Sequence, residues 1–122
     1  MVANLRYCSM HQTGRMTTIY YATDADLRQL VFQQERVIVK FTDQNCRICK
    51  ALEPSFEALA RHAKYADVLF LKMDAKENPV SRKEVQFSST PFIATYRKGV
   101  LKDCGLVNSE EEITSMLDKL LV

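Results

Sequence analysis

The sequence has no tryptophan, and only three glycines and three prolines occur among its 122 residues. So little glycine and proline excludes collagen-like chains and argues against a low-complexity chain. Long apolar runs are also missing. None reaches the roughly 18 residues that a membrane-spanning helix requires, and residues 1–16 contain no continuous apolar segment of the kind found in signal peptides. These absences predict a globular protein without a membrane partner.

An excess of charge of one sign is also missing. Seventeen basic and fifteen acidic residues leave a net charge of +2, and no run of lysine and arginine exceeds a pair. We therefore expect no nucleic-acid partner. With 47% hydrophobic and 26% charged residues, the composition indicates one compact domain, which we place at residues 17–122 after an N-terminal extension of residues 1–16.

Four cysteines are present, and two of them stand three positions apart. Cys8, Cys46, Cys49 and Cys104 are too few and too unevenly spaced for the disulfide scaffold of a small secreted domain. A Cys-x-x-Cys beside a strand–helix pattern favours catalytic redox use in a reducing compartment instead. We therefore expect a cytoplasmic protein without structural disulfides, in which Cys104 is a packed small side chain.

The N-terminal composition leaves one alternative location open. Residues 1–23 contain no acidic residue but include Arg6, Arg15 and several hydroxyl residues, which is a weak likeness to mitochondrial targeting segments. No amphipathic basic helix is visible there, so the simpler interpretation is a tail. We keep the cytoplasm as the prediction and the mitochondrion as the alternative.

Hydrophobic periodicity divides the chain into five strands and four helices. Apolar, β-branched or aromatic runs predict strands at 17–21, 37–42, 68–73, 92–96 and 100–104. Amphipathic spacing and capping residues predict helices from Thr23 or Asp24 to before Arg36, from about 46 to 64 with Glu53 on its charged outer side, from 80 to 85, and from Ser109 onward. The order βαβαβαββα contains a parallel βαβ unit with a right-handed crossover and indicates the α/β class.

The Cys46–Cys49 pair lies where a buried strand ends and the next helix begins. Residues three apart on a helix have α-carbons roughly 5 Å apart, which is within the range that a disulfide bridges. Cys46 would face unpaired backbone N–H groups and the positive end of the helix dipole, which favour its thiolate, whereas Cys49 would be shielded. We therefore predict Cys46 as the attacking thiol and Cys49 as the resolving thiol of a redox pair.

Two other interpretations of this pair remain open. One is a pair of small buried side chains in a protein that binds partners without redox turnover. The other is part of a metal or iron–sulfur site, although structural zinc needs four ligands. The remaining candidate ligands show no paired spacing: Cys8, His11, His62 and Cys104. The sequence favours redox exchange, and we expect no metal and no other cofactor.

Several independent features of residues 17–122 resemble the thioredoxin family. An apolar strand ends shortly before the Cys-x-x-Cys, a basic residue follows the second cysteine, and a proline interrupts the next helix. A lysine lies on the following strand, and a Thr-Pro pair precedes a hairpin with a glycine turn. The residues that carry these features after the strand are Lys50, Pro54, Lys72, Thr90, Pro91 and Gly99.

The resemblance implies a thioredoxin fold, with a central mixed β-sheet flanked by helices on both faces. It also implies disulfide exchange with protein substrates, with a thioredoxin reductase or a glutathione system as the candidates for restoring the dithiol. Pro91 would be cis and would face the thiols. The backbone of Thr90 would pair with an extended substrate strand.

The Cys-Arg-Ile-Cys site departs from the family pattern Trp-Cys-Gly-Pro-Cys. Asn45 replaces the tryptophan, and Arg47 and Ile48 replace glycine and proline. A guanidinium next to Cys46 would lower the pKa of its thiol and stabilise the reduced form. We therefore hypothesise a reduction potential above the value of about −270 mV that is typical of thioredoxin. The alternative is that Arg47 points into solvent and only selects which substrates dock.

Lys40 lies on the strand before the site, where thioredoxins carry a buried acid. Its amine could act as a neutral base beside Cys49, or its charged form could hold the thiolate electrostatically. In a third interpretation the stem packs and the ammonium reaches solvent. We prefer the third, because lysines are seldom fully buried. Together with Asn45, Arg47 and Ile48, Lys40 is predicted to tune the site.

Overall fold

The structure, a computed structural model, describes residues 19–122. Its strands are β1 Tyr20–Tyr21, β2 Arg36–Thr42, β3 Val68–Asp74, β4 Phe92–Arg97 and β5 Val100–Leu106. Its helices are α1 Asp24–Gln33, α2 Arg47–Ala60, α3 Pro79–Glu84 and α4 Glu110–Leu121, with a 3-10 turn at Ala63–Tyr65. The predicted order of strands and helices is confirmed over this range. The predicted extension 1–16, together with Thr17 and Thr18 of the first predicted strand, lies outside the described residues. Within 19–122, no helix is long and apolar enough to cross a lipid bilayer.

The strands form one mixed sheet in the order β1-β3-β2-β4-β5. β2 pairs in parallel with β3, from Arg36 opposite Val68 to Thr42 opposite Asp74. β4 runs antiparallel to β2, and β5 runs antiparallel to β4. The predicted parallel unit of β2, α2 and β3 is therefore confirmed. β2 is the central strand, and α2 starts just beyond its carboxyl end.

Apolar cores cover both faces of the sheet. On one face, α2 and α4 pack on β2 and β3, with Ile38, Phe56 and Leu117 in the same cluster. On the other face, α1 and the end of α3 pack on the sheet, with Val31 and Val39 in a second cluster. Because side chains alternate along a strand, β2 is covered on both sides, which explains its nearly continuous apolar sequence. The predicted mixed sheet flanked by helices on both faces is confirmed.

α2 ends at Ala60, earlier than the helical spacing predicted. The chain then turns so that Tyr65 becomes buried, and its hydroxyl donates a hydrogen bond to Asp118 Oδ1 on α4 at 2.6 Å. His62 Nδ1 accepts the backbone N–H of Lys64 at 3.1 Å, which stabilises the 3-10 turn. Periodicity along the helix could not indicate this end, because the burial of Tyr65 depends on a helix more than forty residues later.

β5 is an edge strand that continues to Leu106, beyond the end predicted at Cys104. Cys104 is a free thiol and is exposed, so the prediction that it is a packed side chain is wrong. An edge strand has a neighbour on only one side, and most of β5 faces solvent. Its remaining desolvation and the carboxylate of Asp103 raise the pKa of the Cys104 thiol. It is therefore a poor nucleophile at neutral pH.

Candidate active site

A short turn after β2 places the two cysteines at the carboxyl end of the central strand. The carboxylate of Asp43 accepts the backbone N–H of Asn45 at 3.0 Å, and the backbone oxygen of Asp43 accepts the N–H of Cys46 at 3.1 Å. Aspartate commonly stabilises such turns by bonding to the backbone two residues on. Cys46 consequently becomes the N-cap residue of α2.

The sulfurs of Cys46 and Cys49 are joined in a disulfide, and the two α-carbons are 5.2 Å apart. Cys46 Sγ also accepts the backbone N–H of Cys49 at 3.0 Å. Cys46 is half-buried, whereas Cys49 is only 3% exposed. The pair can therefore present one sulfur to a partner while the other stays covered. At a helix N-terminus, such a backbone N–H donor can stabilise the sulfur when it carries a negative charge.

Lys40 lies fully buried beneath the first turn of α2, with 0% exposure. Its Nζ donates a hydrogen bond to the backbone oxygen of Cys49 at 3.0 Å and lies 5.4 Å from the centre of the Phe56 ring. Burial lowers the pKa of Lys40 to about 8, against the nearby carboxylate of Glu53, which raises it. Our preferred prediction that this ammonium reaches solvent is wrong. Because β2 is the central strand and α2 covers it, the four-carbon side chain of Lys40 ends beneath the helix and does not reach solvent.

Glu53 is a charged residue of this site that the sequence reasoning missed. It forms an ion pair with Lys72, which lies directly opposite Lys40 in the β2–β3 register. The hydrogen bond from Lys72 lowers the pKa of Glu53 against the effect of burial. Burial alone would lower the pKa of Lys72, but its bonds to Glu53 and Tyr21 raise it.

The prediction that Glu53 lies on the outer face of α2 is therefore correct only in part, because its side chain is 36% exposed but pairs with the largely buried Lys72. It stands four residues after Cys49, so the two side chains share one side of the helix. That spacing was the available signal. The carboxylate is needed there because two lysines stand side by side on neighbouring strands, and like charges in that position repel.

The other predicted tuning residues surround the disulfide at the surface. Asn45 and Arg47 are exposed, and Ile48 is 42% exposed. The structure thus brings Asn45, Arg47 and Ile48 together around Cys46 on the outer side of the site, while Lys40 lies on its inner side. The first group can contact a docking partner, and Lys40 cannot.

Thr90 and Pro91 lie at the same end of the sheet. The peptide bond between them is cis, as the resemblance implied. Thr90 and Pro91 directly precede β4, which runs antiparallel to β2 and begins with Phe92 opposite Phe41. They therefore lie beside the carboxyl end of β2, where the cysteine loop begins. Val107, which directly follows β5, donates its N–H to the oxygen of Pro91 at 3.2 Å. Pro91 is buried and Thr90 half-buried.

Among residues 19–122, no three histidine, cysteine, aspartate or glutamate side chains converge so that they could hold a metal ion. Cys8 and His11, two of the ligand candidates from the sequence, lie outside the described part of the chain. Of the candidates, the dithiol is the group whose geometry supports chemistry.

A mixed five-stranded sheet whose central strand ends in a Cys-x-x-Cys at a helix N-terminus defines a thioredoxin-fold protein with a dithiol site. The family model described as Thioredoxin matches residues 18–119. The chain therefore belongs to the thioredoxin family. This membership, together with the Cys46–Cys49 pair, supports a function as a thiol-disulfide oxidoreductase at the level of the family.

Individual comparisons agree with this assignment. The chain is 28% identical to thioredoxin 1 of Plasmodium falciparum over 80% of its own length and 91% of that protein. The crystal structure of thioredoxin from Malassezia sympodialis superposes with a TM-score of 0.81 at 18% identity, covering 93% of this chain and 99% of that one. A chain from a study of the thiol resolving mechanism in yeast mitochondrial 1-Cys peroxiredoxin via glutathione/thioredoxin systems has a TM-score of 0.77 at 23% identity, covering 84% and 96%. The two structural likenesses concern the fold alone.

Proposed function

We propose that this protein exchanges disulfides with protein substrates through the Cys46/Cys49 dithiol. The observation that carries the proposal is the asymmetry of the pair. Cys46 is half-buried at the N-cap of α2 and its Sγ accepts a backbone N–H, while Cys49 is buried. A thiolate that is accessible and hydrogen-bonded can attack a substrate disulfide, and a shielded neighbouring thiol can then resolve the mixed disulfide.

The exchange balances in two steps. The thiolate of Cys46 attacks one sulfur of a substrate disulfide, so that a Cys46–substrate bond forms, the substrate S–S bond breaks, and the other substrate sulfur leaves and takes a proton. The thiolate of Cys49 then attacks Cys46 Sγ, which forms the intramolecular disulfide and releases the second substrate thiol. Two electrons pass from the dithiol to the substrate.

The substrate strand lies along Thr90 and Pro91 in this proposal. Both residues sit beyond the last β2–β4 pair, at the sheet end that also carries the cysteine loop. An extended polypeptide pairs there with the backbone of Thr90 and brings its disulfide towards Cys46. Asn45, Arg47 and Ile48 are exposed around the disulfide and contact the flanking substrate residues.

The oxidised pair needs two electrons to return to the dithiol. Either a thioredoxin reductase or two molecules of glutathione, which leave as glutathione disulfide, supply them. Such a cycle belongs in a reducing compartment, and the cytoplasm is the proposed location. Fractionation of cells that produce the full chain tests this, because recovery with mitochondria would favour the alternative.

The deciding experiment is the redox equilibrium of the pair. The full chain, with a Cys104→Ser variant as the matched control, is equilibrated in glutathione buffers, its thiols are alkylated, and its mass is measured. We expect one reversible two-electron transition, with reduction of insulin disulfides by the dithiol form. Cysteines that stay reduced in every buffer would contradict the proposal and favour a binding module, that is, a protein that binds partners without redox turnover. Zinc or iron bound to the same sample would favour the metal site.

The binding module without turnover remains the second candidate. Asn45 stands where the family pattern has tryptophan, and Lys40 stands where it has an acid. Both substitutions change residues that border the thiols while the fold is kept. An exposed surface around Ile48 suits a partner that docks without exchange. Reversible cycling in the glutathione series would reject this candidate.

Arg47→Gln should lower the reduction potential by about 10–20 mV, equivalent to a roughly two- to fivefold change in the equilibrium with glutathione. The guanidinium is one residue from Cys46 and favours its thiolate, but solvent screens an exposed charge. Potentials are measured in the same buffers, with Arg61→Gln at the exposed end of α2 as the control. An unchanged potential would leave Arg47 with a docking role only. A wild-type value at or below about −270 mV would reject the hypothesis of a stronger oxidant.

A further inference from the structure

Lys40 is a buried cation at the dithiol to which the proposed exchange assigns no role. Its Nζ makes one hydrogen bond among the described residues, to the backbone oxygen of Cys49 at 3.0 Å. The face of the Phe56 ring lies on another side at 5.4 Å. A lysine is almost never fully buried without a partner for its charge. The disulfide offers no such partner, because it is neutral.

Reduction of the disulfide changes the charge that Lys40 faces. Bond geometry within one residue places Cys49 Sγ less than about 8 Å from an Nζ that is hydrogen-bonded to the carbonyl oxygen of the same residue. The disulfide bond then places Cys46 Sγ, the sulfur proposed to carry the negative charge, within about 10 Å of the same Nζ. At such a distance in a partly desolvated site, opposite unit charges shift each other's proton equilibrium by about one unit or more. An anionic sulfur in the reduced pair would therefore attract the ammonium of Lys40.

The other charges that face Lys40 decide whether it stays protonated. Glu53 and Glu57 on α2 favour the ammonium, and Lys72 on β3 opposes it. Glu53 has the larger effect of the two carboxylates, and Glu57 is exposed. From β4 the residue opposite Lys40 is Ile93, which carries no charge.

We propose that Lys40 is a positioning residue of the dithiol: held on the carbonyl of Cys49, its ammonium stabilises the anionic sulfur of the reduced pair, and Glu53 keeps that ammonium protonated. The inference rests on the proposed redox cycle. Two glutathione molecules reduce the disulfide and leave as glutathione disulfide, and their two thiol protons become available to the two cysteine sulfurs. Where one of these sulfurs stays a thiolate, one proton passes to solvent and the reduced pair carries a negative charge that the disulfide lacks. A fixed cation therefore shifts this equilibrium towards the dithiol.

Linkage makes the effect reciprocal. If the ammonium stabilises the thiolate, reduction must also strengthen the binding of the proton to Lys40. In the disulfide state the pKa of Lys40 is about 8. The reduced state should retain the ammonium to a higher pH. This redox-dependent titration distinguishes the proposal from a merely structural lysine, whose titration would be the same in both states.

The direct test follows the side-chain signals of lysine by NMR during a pH titration of the full chain. One sample has the disulfide and the other is reduced with dithiothreitol, and Lys40→Met identifies the Lys40 signal by its disappearance. We expect the titration midpoint of Lys40 to rise by about one pH unit on reduction. An identical midpoint in the two samples overturns the proposal. Because dithiothreitol reduces the pair directly, this result does not depend on turnover with protein substrates.

Two matched variants test the role assigned to Glu53. Glu53→Gln should lower the Lys40 midpoint clearly more than Glu57→Gln, since Glu53 has the larger effect on the ammonium. Equal shifts would overturn the assignment of Glu53.

The equilibrium with glutathione gives an independent readout. Lys40→Met should shift it towards the disulfide by about fivefold or more at pH 7, and an unchanged equilibrium overturns the proposal. If the wild-type pair fails to cycle with glutathione, the proposed function fails, while the NMR comparison still decides the role of Lys40. If the wild type cycles but either Lys40 measurement shows no change, only the inference about Lys40 fails.

Discussion

Cys46→Ser should abolish disulfide exchange completely, whereas Cys49→Ser should convert the protein into a trap for its substrate. A serine hydroxyl cannot form the mixed disulfide, so the Cys46 variant has no first step. The Cys49 variant completes the first step and then lacks the thiol that releases the substrate. With insulin as the substrate, mass spectrometry should show a covalent adduct only on Cys49→Ser, and dithiothreitol should release it.

The free thiol Cys104 provides the control for this experiment. Cys104→Ser should exchange disulfides at the wild-type rate, because this exposed thiol lies on β5 and its pKa is raised. The assignment of roles would be reversed if Cys46→Ser gave the adduct instead. It would be wrong altogether if neither variant trapped substrate while the wild type turned over.

Lys40→Met should stabilise the fold by about 2 kcal/mol at pH 7, an effect of opposite sign to most core substitutions. A buried ammonium loses its hydration, and methionine fills a similar volume without that loss. The Glu53–Lys72 ion pair remains in the variant, and one of two adjacent positive charges disappears. The backbone oxygen of Cys49 keeps the hydrogen bond it makes within α2. The oxidised proteins are compared by urea unfolding.

The stability difference should also depend on pH, with a direction fixed by the pKa of Lys40. Burial lowers that pKa from 10.5 to about 8, so between these values the unfolded chain binds more protons than the folded one. The free energy of unfolding of the wild type therefore rises with pH through this window because of Lys40, whereas below the window Lys40 adds no pH dependence. The advantage of Lys40→Met should shrink by about 2 kcal/mol between pH 7 and pH 9.5.

Lys50→Met is the matched control for the stability difference and for its pH dependence. Lys50 is an exposed lysine in the first turn of α2, the turn that covers Lys40. Its substitution should change the free energy of unfolding by less than about 0.5 kcal/mol at either pH. A Lys40→Met protein that is less stable than the wild type at pH 7, or whose advantage does not vary with pH, would show that the buried ammonium is fully compensated by its surroundings.

If both sets of results hold, Lys40 is a residue that destabilises the fold and assists the site. Such a combination is common where function needs a charge in an apolar place. The same substitution would then raise the free energy of unfolding and shift the dithiol equilibrium towards the disulfide. Measuring both in one variant separates a functional reason for the lysine from a purely structural one.

Local patterns were sufficient for most of the architecture. The periods of apolar residues and the caps predicted each strand and helix in order, since these signals depend on neighbours a few residues apart. The Cys-x-x-Cys between strand and helix predicted, for the same reason, a pair that can open and close as a disulfide, and its α-carbon distance of 5.2 Å is close to the expected value. The resemblance to the thioredoxin family added the cis bond at Pro91.

The errors fall where two distant segments meet. The end of α2 depended on Tyr65 reaching Asp118, and the exposure of Cys104 depended on β5 lying at the edge of the sheet. The inner side of the site depended on Lys40 and Lys72 standing side by side with Glu53 above them. No pattern along the chain contains these distances.

The sequence by itself thus determined the order of the elements, the position of the dithiol and the family to which the chain belongs. Each of these depends on residues that are close along the chain or on a motif with fixed spacing. Only the tertiary structure decided that the ammonium of Lys40 lies under Cys49 rather than in solvent. The reason is physical: burial and charge pairing are set by which strands and helices cover one another, and that covering exists only in the folded sheet.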